Sequence, residues 1–260
     1  MLIKEKGTSE TTRENIIKFI SIHKPNHKYP NNDQEFGYYL AGIIDGNGFI
    51  YPQPKLVIYF HYKDTPLAYY LKNYIKYGVV ETKNKQTTLT FTNQLSLLKI
   101  ANLIHNKLKF TNKIALFNNL TNYFNFKFLI NQENILNNYY LAGLIDSKGK
   151  FTIDLVKDKL NLNLNLEFDP LDKDLITSFL DLIGGEIKEI SDKIVSYNSL
   201  SIDNMYKIIG YLDKFSVNSQ YKEYVYLRKT YIIIQNQKHN TEEGLIKIKE
   251  YQERMKKFIK

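Results

Sequence analysis

YYLAGIIDGNGFI at residues 38–50 and YYLAGLIDSKGKF at residues 139–151 are two copies of one segment, offset by 101 positions. Seven of the first eight positions are identical, the exception being Ile43 against Leu144, and the closing Gly48 and Gly149 also match. A repeat at this period means that one supersecondary unit is written twice. Working outward, DTPLAYYLKNYIKYG at residues 64–78 resembles DPLDKDLITSFLDLIGG at residues 169–185, and each pairs an N-cap-like Asp with an early Pro ahead of an apolar helical pattern. LTFTNQLSLLKIANLI at residues 89–104 parallels LSIDNMYKIIGYLDKF at residues 200–215, and Lys109-Phe110 parallels Lys214-Phe215 before a last helix.

Between the helical stretches the apolar residues alternate, as in strands that bury one face. Leu56, Ile58, Phe60 and Tyr62 form one face, opposite Lys55, Val57, Tyr59, His61 and Lys63. In the second half Leu160, Leu162, Leu164, Leu166 and Phe168 alternate with Asn161, Asn163, Asn165 and Glu167. Lys83-Asn84-Lys85 and Ser191-Asp192 read as the hairpin turns. The expected fold class is α+β, with tandem αββαββα repeats related by a pseudo-twofold. The divisions are an N-terminal extension (1–35), a first repeat (36–122), a linker (123–136), a second repeat (137–236) and a C-terminal helix (237–260). In that last helix Thr241 is the expected N-cap, and Leu245, Ile248, Tyr251, Met255 and Phe258 keep helical spacing. It reads as docked on the core, with a basic helix lying on phosphate as the alternative.

Composition bounds the chemistry. In 260 residues there is no Cys, which excludes disulfides, thiolate metal sites and Cys nucleophiles, and the five His show no ligand-like spacing. The formal charge of +9, from 36 Lys and Arg against 27 Asp and Glu, points to a polyanionic partner. No apolar run approaches the roughly 18 residues of a membrane span, so no membrane partner is expected. Glu5, Glu10 and Glu14 among the N-terminal lysines do not suit an import presequence, and there is no secretory h-region. Heavy use of Asn, Lys, Ile, Tyr and Phe suits an AT-rich genome. AT-rich bacteria share this bias with fungal-type mitochondria; the expectation is a mitochondrial matrix protein encoded in the organelle.

LAGIIDGNG and LAGLIDSKG resemble the two motif copies of LAGLIDADG homing endonucleases and group I intron maturases, and the resemblance runs from about Phe36 to about Tyr231. It implies motif helices meeting at a seam through the small residues Ala41, Gly42, Ala142 and Gly143, and two antiparallel sheets forming a saddle. The chain would be a monomer with an internal pseudo-dimer. In active members, the resemblance implies, an acid precedes each final Gly, and the pair binds divalent metals for phosphodiester cleavage. Here those positions hold Asn47 and Lys148. Replacing attraction by repulsion there costs several kcal/mol, at roughly 4 kcal/mol per unit charge pair at about 4 Å. No metal or other cofactor is therefore expected, and catalytic residues are not intact. Asp45 and Asp146 remain as motif acids and are read as closing their own helices and bonding local backbone.

The expected contact face comprises Lys55, Tyr59, His61, Lys63, Lys83 and Lys85 in the first half, and Lys150, Asn161, Asn163, Asn165 and Lys188 in the second. The second face, with Asp154, Asp158 and Glu167, is less basic. The function implied is a maturase that helps a group I intron RNA to splice, with RNA as partner and a protein splicing helper as a further one. The alternatives are a divergent Mg-dependent endonuclease that cuts duplex DNA through Asp45 and Asp146, and a structural subunit of a larger ribonucleoprotein.

Overall fold

The computed structural model describes residues 17–51, 54–121, 127–156 and 159–258. The first repeat runs α1 (Asp33–Asn47), β1 (Gly48–Tyr51), β2 (Lys55–His61), α2 (Thr65–Ile75), β3 (Val79–Lys83), β4 (Gln86–Phe91), α3 (Gln94–Ile104) and α4 (Thr111–Thr121). The second repeats the order as α5 (Tyr140–Lys148), β5 (Lys150–Val156), β6 (Lys159–Phe168), α6 (Lys173–Leu182), β7 (Glu186–Ser191), β8 (Ile194–Asn198), α7 (Ile202–Leu212) and α8 (Tyr221–Gln235), and α9 (Glu242–Lys256) follows. Each repeat builds one four-stranded antiparallel sheet, ordered β1-β2-β4-β3 and β5-β6-β8-β7. The fold is α+β and doubled, as the repeat dictates.

The alternation sets which face is covered. Ile50, Leu56, Ile58, Phe60, Leu89 and Phe91 in the first sheet, and Phe151, Ile153, Leu162, Leu164, Leu166 and Phe168 in the second, join the helices in one core. Two expected members differ. Tyr62 lies in a short 3-10 turn (Tyr62–Asp64) beyond β2 and is exposed, so it leaves the core face. Val57, on the opposite face, is buried all the same. The hairpin at Asn84-Lys85 has positive φ at both residues (48° and 63°), the conformation that matches a two-residue turn to strand twist.

Two internal alignments shift. The residue preceding α6 is Asp172, after a 3-10 turn (Pro170–Asp172), whereas Asp169 accepts from the Leu171 amide inside that turn (3.0 Å). Asp172, not Asp169, is therefore the counterpart of Asp64, and neither side chain makes a capping hydrogen bond. Lys109-Phe110 leads directly into α4, but Phe215 stands well ahead of α8; the segment before α8 that does the equivalent work is 218–220. The connector shows no helix over 127–137.

The segment from residue 17 to α1 is held by the second repeat. Gln235 exchanges two hydrogen bonds with the Ile20 backbone (2.9 and 3.1 Å), and His27 Nε2 donates to the Val217 carbonyl (2.8 Å). Buried Arg228 pairs with Asp213 (3.0 Å) and donates to the Ser21 carbonyl (2.9 Å). In α9, Thr241 Oγ1 accepts from the Gly244 amide (3.2 Å), and Ile248 and Met255 are buried. The charges of α9 pair along the helix, Glu243 with Lys247, Glu250 with Arg254 and Glu253 with Lys256, which leaves little free positive charge for phosphate.

Candidate nucleic-acid interface and motif seam

The seam is built from glycine. A Cβ on Gly42 would stand 2.1 Å from the Tyr140 carbonyl oxygen, and one on Gly143 would stand 2.0 Å from that of Tyr39. Neither position has room for a methyl group, so α1 and α5 meet backbone to backbone. Ala41 and Ala142 are buried beside them.

The motif acids do not bond local backbone, which corrects the expectation from the sequence. Asp45 Oδ2 accepts from the amides of Lys109 (2.8 Å) and Phe110 (3.4 Å) and from the Tyr140 hydroxyl across the seam (2.7 Å). Asp146 accepts from the amides of Asn218 (2.6 Å) and Gln220 (3.0 Å), from Ser219 Oγ (3.0 Å) and from the Tyr39 hydroxyl (2.7 Å). Each carboxylate thus serves the amides leading into α4 or α8, where a helix start favours negative charge. Burial pushes Asp45 up to about 7 and raises Asp146 as well, against the hydrogen bonds that hold the ionised forms. Both are enclosed; both oxygens of Asp146 and Oδ2 of Asp45 are used within the protein, while Asp45 Oδ1 is buried without a hydrogen-bond partner among the described residues.

At the base of the seam the polar groups also satisfy one another. Asn47 Nδ2 donates to the Ser147 carbonyl (2.8 Å). Lys113, which no sequence signal singled out, donates to the Gly48 carbonyl, and its ammonium stands 4.7 Å from the centre of the Phe49 ring. On the other side Gln220 Nε2 donates to the carbonyls of Gly149 and Ile145, both at 2.5 Å. Lys148 Nζ lies 5.6 Å from the Phe110 ring centre. Burial lowers both lysines, and the charge of Lys148 lowers Lys113 further. Asp172 provides opposite charge to both, yet neither of its buried oxygens has a hydrogen-bond partner among the described residues. Burial first, then Asp169, pushes it up to about 6 against the two lysines.

This donor set does not suit a divalent cation. Two carbonyls nearest the motif ends already accept from Lys113 and Gln220, Asn47 offers one neutral oxygen, and the one nearby carboxylate with unpartnered oxygens, Asp172, stands against the two ammonium groups of Lys113 and Lys148. Hard ions require several oxygens with net negative charge.

On the sheet faces turned away from the helices, the expected contact residues separate. Lys55, Tyr59 and His61 share β2, beside exposed Lys83 and Lys85 at the hairpin tip. Lys63 does not join them: it lies in the 3-10 turn, and its ammonium donates to the Lys257 carbonyl (3.2 Å). In the second sheet Lys150 faces Asn165, and Asn161 faces Asp154. Asn163 and Asn165 are tied into a polar network, both amides donating to Asn198 Oδ1 (3.0 Å), while Asn163 Oδ1 accepts from the Ser199 amide (2.9 Å). Lys188 pairs with Glu186. Asp158 lies outside the described residues. Phe49 and Tyr51, which the sequence reading did not single out, are also exposed on the outer face.

Two motif helices crossing through glycine, each followed by a four-stranded sheet, give a doubled framework that known proteins share. A sequence profile described as LAGLIDADG endonuclease matches residues 141–231. An uncharacterized cox1 intron-2 protein of 37.2 kDa from Schizosaccharomyces pombe is 38% identical over 94% of this chain and 80% of its own length. The chain belongs to the LAGLIDADG family. The small subunit of endonuclease SceI from Saccharomyces cerevisiae is 27% identical over 76% of this chain, which spans 48% of that protein. Two solved LAGLIDADG nucleases share the fold: I-AabMI bound to uncleaved DNA (TM-score 0.69, 18% identity, 84% of this chain and 98% of that one) and I-GzeII in complex with its DNA target (TM-score 0.66, 18% identity, 84% and 97%). In this LAGLIDADG protein the motif's penultimate positions are an amide and an ammonium.

Proposed function

We propose that this LAGLIDADG protein binds nucleic acid without metal-dependent cleavage and acts in mitochondria as a maturase for a group I intron RNA. The observation that carries the proposal is Lys148 at the base of the seam, where a divalent ion would need a carboxylate and meets a cation beside Lys113. Binding itself does not require that metal. The net charge of +9 and the lysines of β2 and the β3–β4 hairpin favour phosphate contacts. The named relatives support an intron setting, through the cox1 intron-2 protein and, at 30% identity over 49% of this chain, an intron-encoded DNA endonuclease named aI3. RNA would be held largely by shape, phosphate and 2′-hydroxyl contacts.

The test is binding and cleavage measured together. Purified protein is mixed with the intron RNA and with the intronless DNA in Mg²⁺ or Mn²⁺, at one salt concentration, beside an Asn47→Asp/Lys148→Glu variant. RNA binding with intact DNA supports the proposal. A nick at a defined DNA site by the native protein overturns it and makes the protein a divergent endonuclease.

A further inference from the structure

The two sheets carry the same strand order and register, so each supplies an internal control for the other. Phe49 faces Val57 as Lys150 faces Asn165, which makes Phe49 and Lys150 equivalent, Tyr51 and Thr152 equivalent, and Tyr59 and Glu167 equivalent. The register with the neighbouring strands agrees: Tyr59 faces Thr88, and Glu167 faces Ser196. Three aromatic side chains of the first sheet are thus replaced by lysine, threonine and glutamate in the second. The framework does not need rings at these places.

The rings form one cluster on the outer face. Phe49 and Tyr59 meet edge to face at 5.2 Å between centres, and the hydroxyls of Tyr51 and Tyr59 lie 3.0 Å apart. Phe49 is 50% exposed and Tyr51 40% exposed, a large apolar surface to leave in water. Lys55 borders it at 5.6 Å from the Tyr51 ring, and the buried ammonium of Lys113, bonded to the Gly48 carbonyl, lies 4.7 Å from the Phe49 ring. Flat rings among ammonium groups complement a strand whose bases are free and whose backbone is anionic. A paired base hides both faces in its stack and offers only an edge, so a platform of this kind favours unpaired nucleotides.

We infer that Phe49, Tyr51 and Tyr59 form a stacking site for unpaired bases of RNA, borne by the first sheet alone. This rests on the RNA-binding proposal above and specifies which part of an RNA the protein engages. The second sheet, with its tied asparagines, would face paired or backbone regions.

The experiment compares a short single-stranded RNA carrying 2-aminopurine with a fully paired RNA duplex of the same sequence, at one salt concentration. Native protein is measured beside a Phe49→Leu/Tyr51→Thr variant and a separate Tyr59→Glu variant, which carries the second half's own residue. Native protein should bind the single strand with quenching of 2-aminopurine. The double variant should lose about tenfold in single-strand affinity, and the quenching with it, with duplex affinity and thermal melting unchanged. Tyr59→Glu should lose quenching in the same way. Native binding to duplex alone, or equal losses on both RNAs by the uncharged double variant, overturns the inference and leaves the RNA-binding proposal standing. Native binding to neither RNA overturns the inference, and the intron-RNA measurement described above decides the proposal on which it rests.

Discussion

The Tyr39 hydroxyl donates to Asp146 at 2.7 Å across the motif seam, and the Tyr140 hydroxyl returns the same bond to Asp45 at the same distance. Each motif therefore contributes a tyrosine to satisfy the other motif's buried acid. The pseudo-twofold is made of paired side chains as well as crossing backbones.

Removing either hydroxyl strands part of a buried carboxylate. Tyr39→Phe should cost about 2 kcal/mol of unfolding free energy, since a hydrogen bond to an ionised group contributes about 1.5–3 kcal/mol. Tyr140→Phe should behave likewise. Urea unfolding read by circular dichroism measures both, and a change below about 0.5 kcal/mol for each would show that the seam does not depend on these bonds.

The seam should not tolerate a methyl group. Gly42→Ala and Gly143→Ala each place a Cβ near 2 Å from the opposing helix's carbonyl oxygen, so both should lose more than about 3 kcal/mol or fail to fold. A Cβ on Gly210 in α7 would meet nothing within 4 Å, and Gly210→Ala should gain up to about 1 kcal/mol through helix propensity. Thermal melts of the three variants separate a steric seam from a general intolerance of alanine.

Stability should decline as pH rises from about 4 to about 7. Asp45 and Asp172 both titrate above their ordinary range, at about 7 and about 6, because burial disfavours their charge. A carboxylate raised in the folded state holds its proton there while the unfolded chain has released it. Its favourable contribution is complete below the unfolded value and is lost as pH passes the folded one. Lys109, lowered to about 8, remains charged through this window. Asp172→Asn should raise stability above pH 7 by about 1 kcal/mol and flatten the profile near pH 6, because both of its oxygens lack partners. Melts between pH 4 and 8 for native and variant protein decide it; a variant less stable than native at pH 8 would show that its charge is needed by Lys113 and Lys148.

Lys83 and Lys85 flank the exposed tip of the β3–β4 hairpin. Lys83→Gln/Lys85→Gln should weaken RNA binding and reduce the slope of log affinity against log salt by roughly one unit per lysine. An unchanged slope would remove the hairpin from the interface.

The doubled fold was legible because its signals are local. Two motif copies, alternating Leu and Asn through residues 160–168, and Thr241 ahead of an apolar helical pattern each depend on residues near in sequence. The first hairpin turn followed from the same chemistry, as the positive φ of Asn84 and Lys85 shows; the second falls one residue later than expected, at Asp192-Lys193, because Ser191 still pairs with Ile194. The small residues of the motif also announced a close helix contact, since little else explains glycine inside a helix.

What lay out of reach, beyond the motif seam, was which polar groups of distant segments meet. Sequence spacing could not show that Asp45 serves the amides before α4, that Lys113 reaches Gly48, or that Asp172 faces Lys148 without touching a donor. Nor could alternation separate Lys63, turned toward Lys257, from Lys55 on the sheet face. Periodicity reports which side of an element is apolar, because that depends on neighbours two to four residues away. Which polar group meets which is decided only when the elements pack, within a half as well as between halves, since the partners stand tens of residues apart and the cost of leaving each unpaired is set by the burial that packing creates.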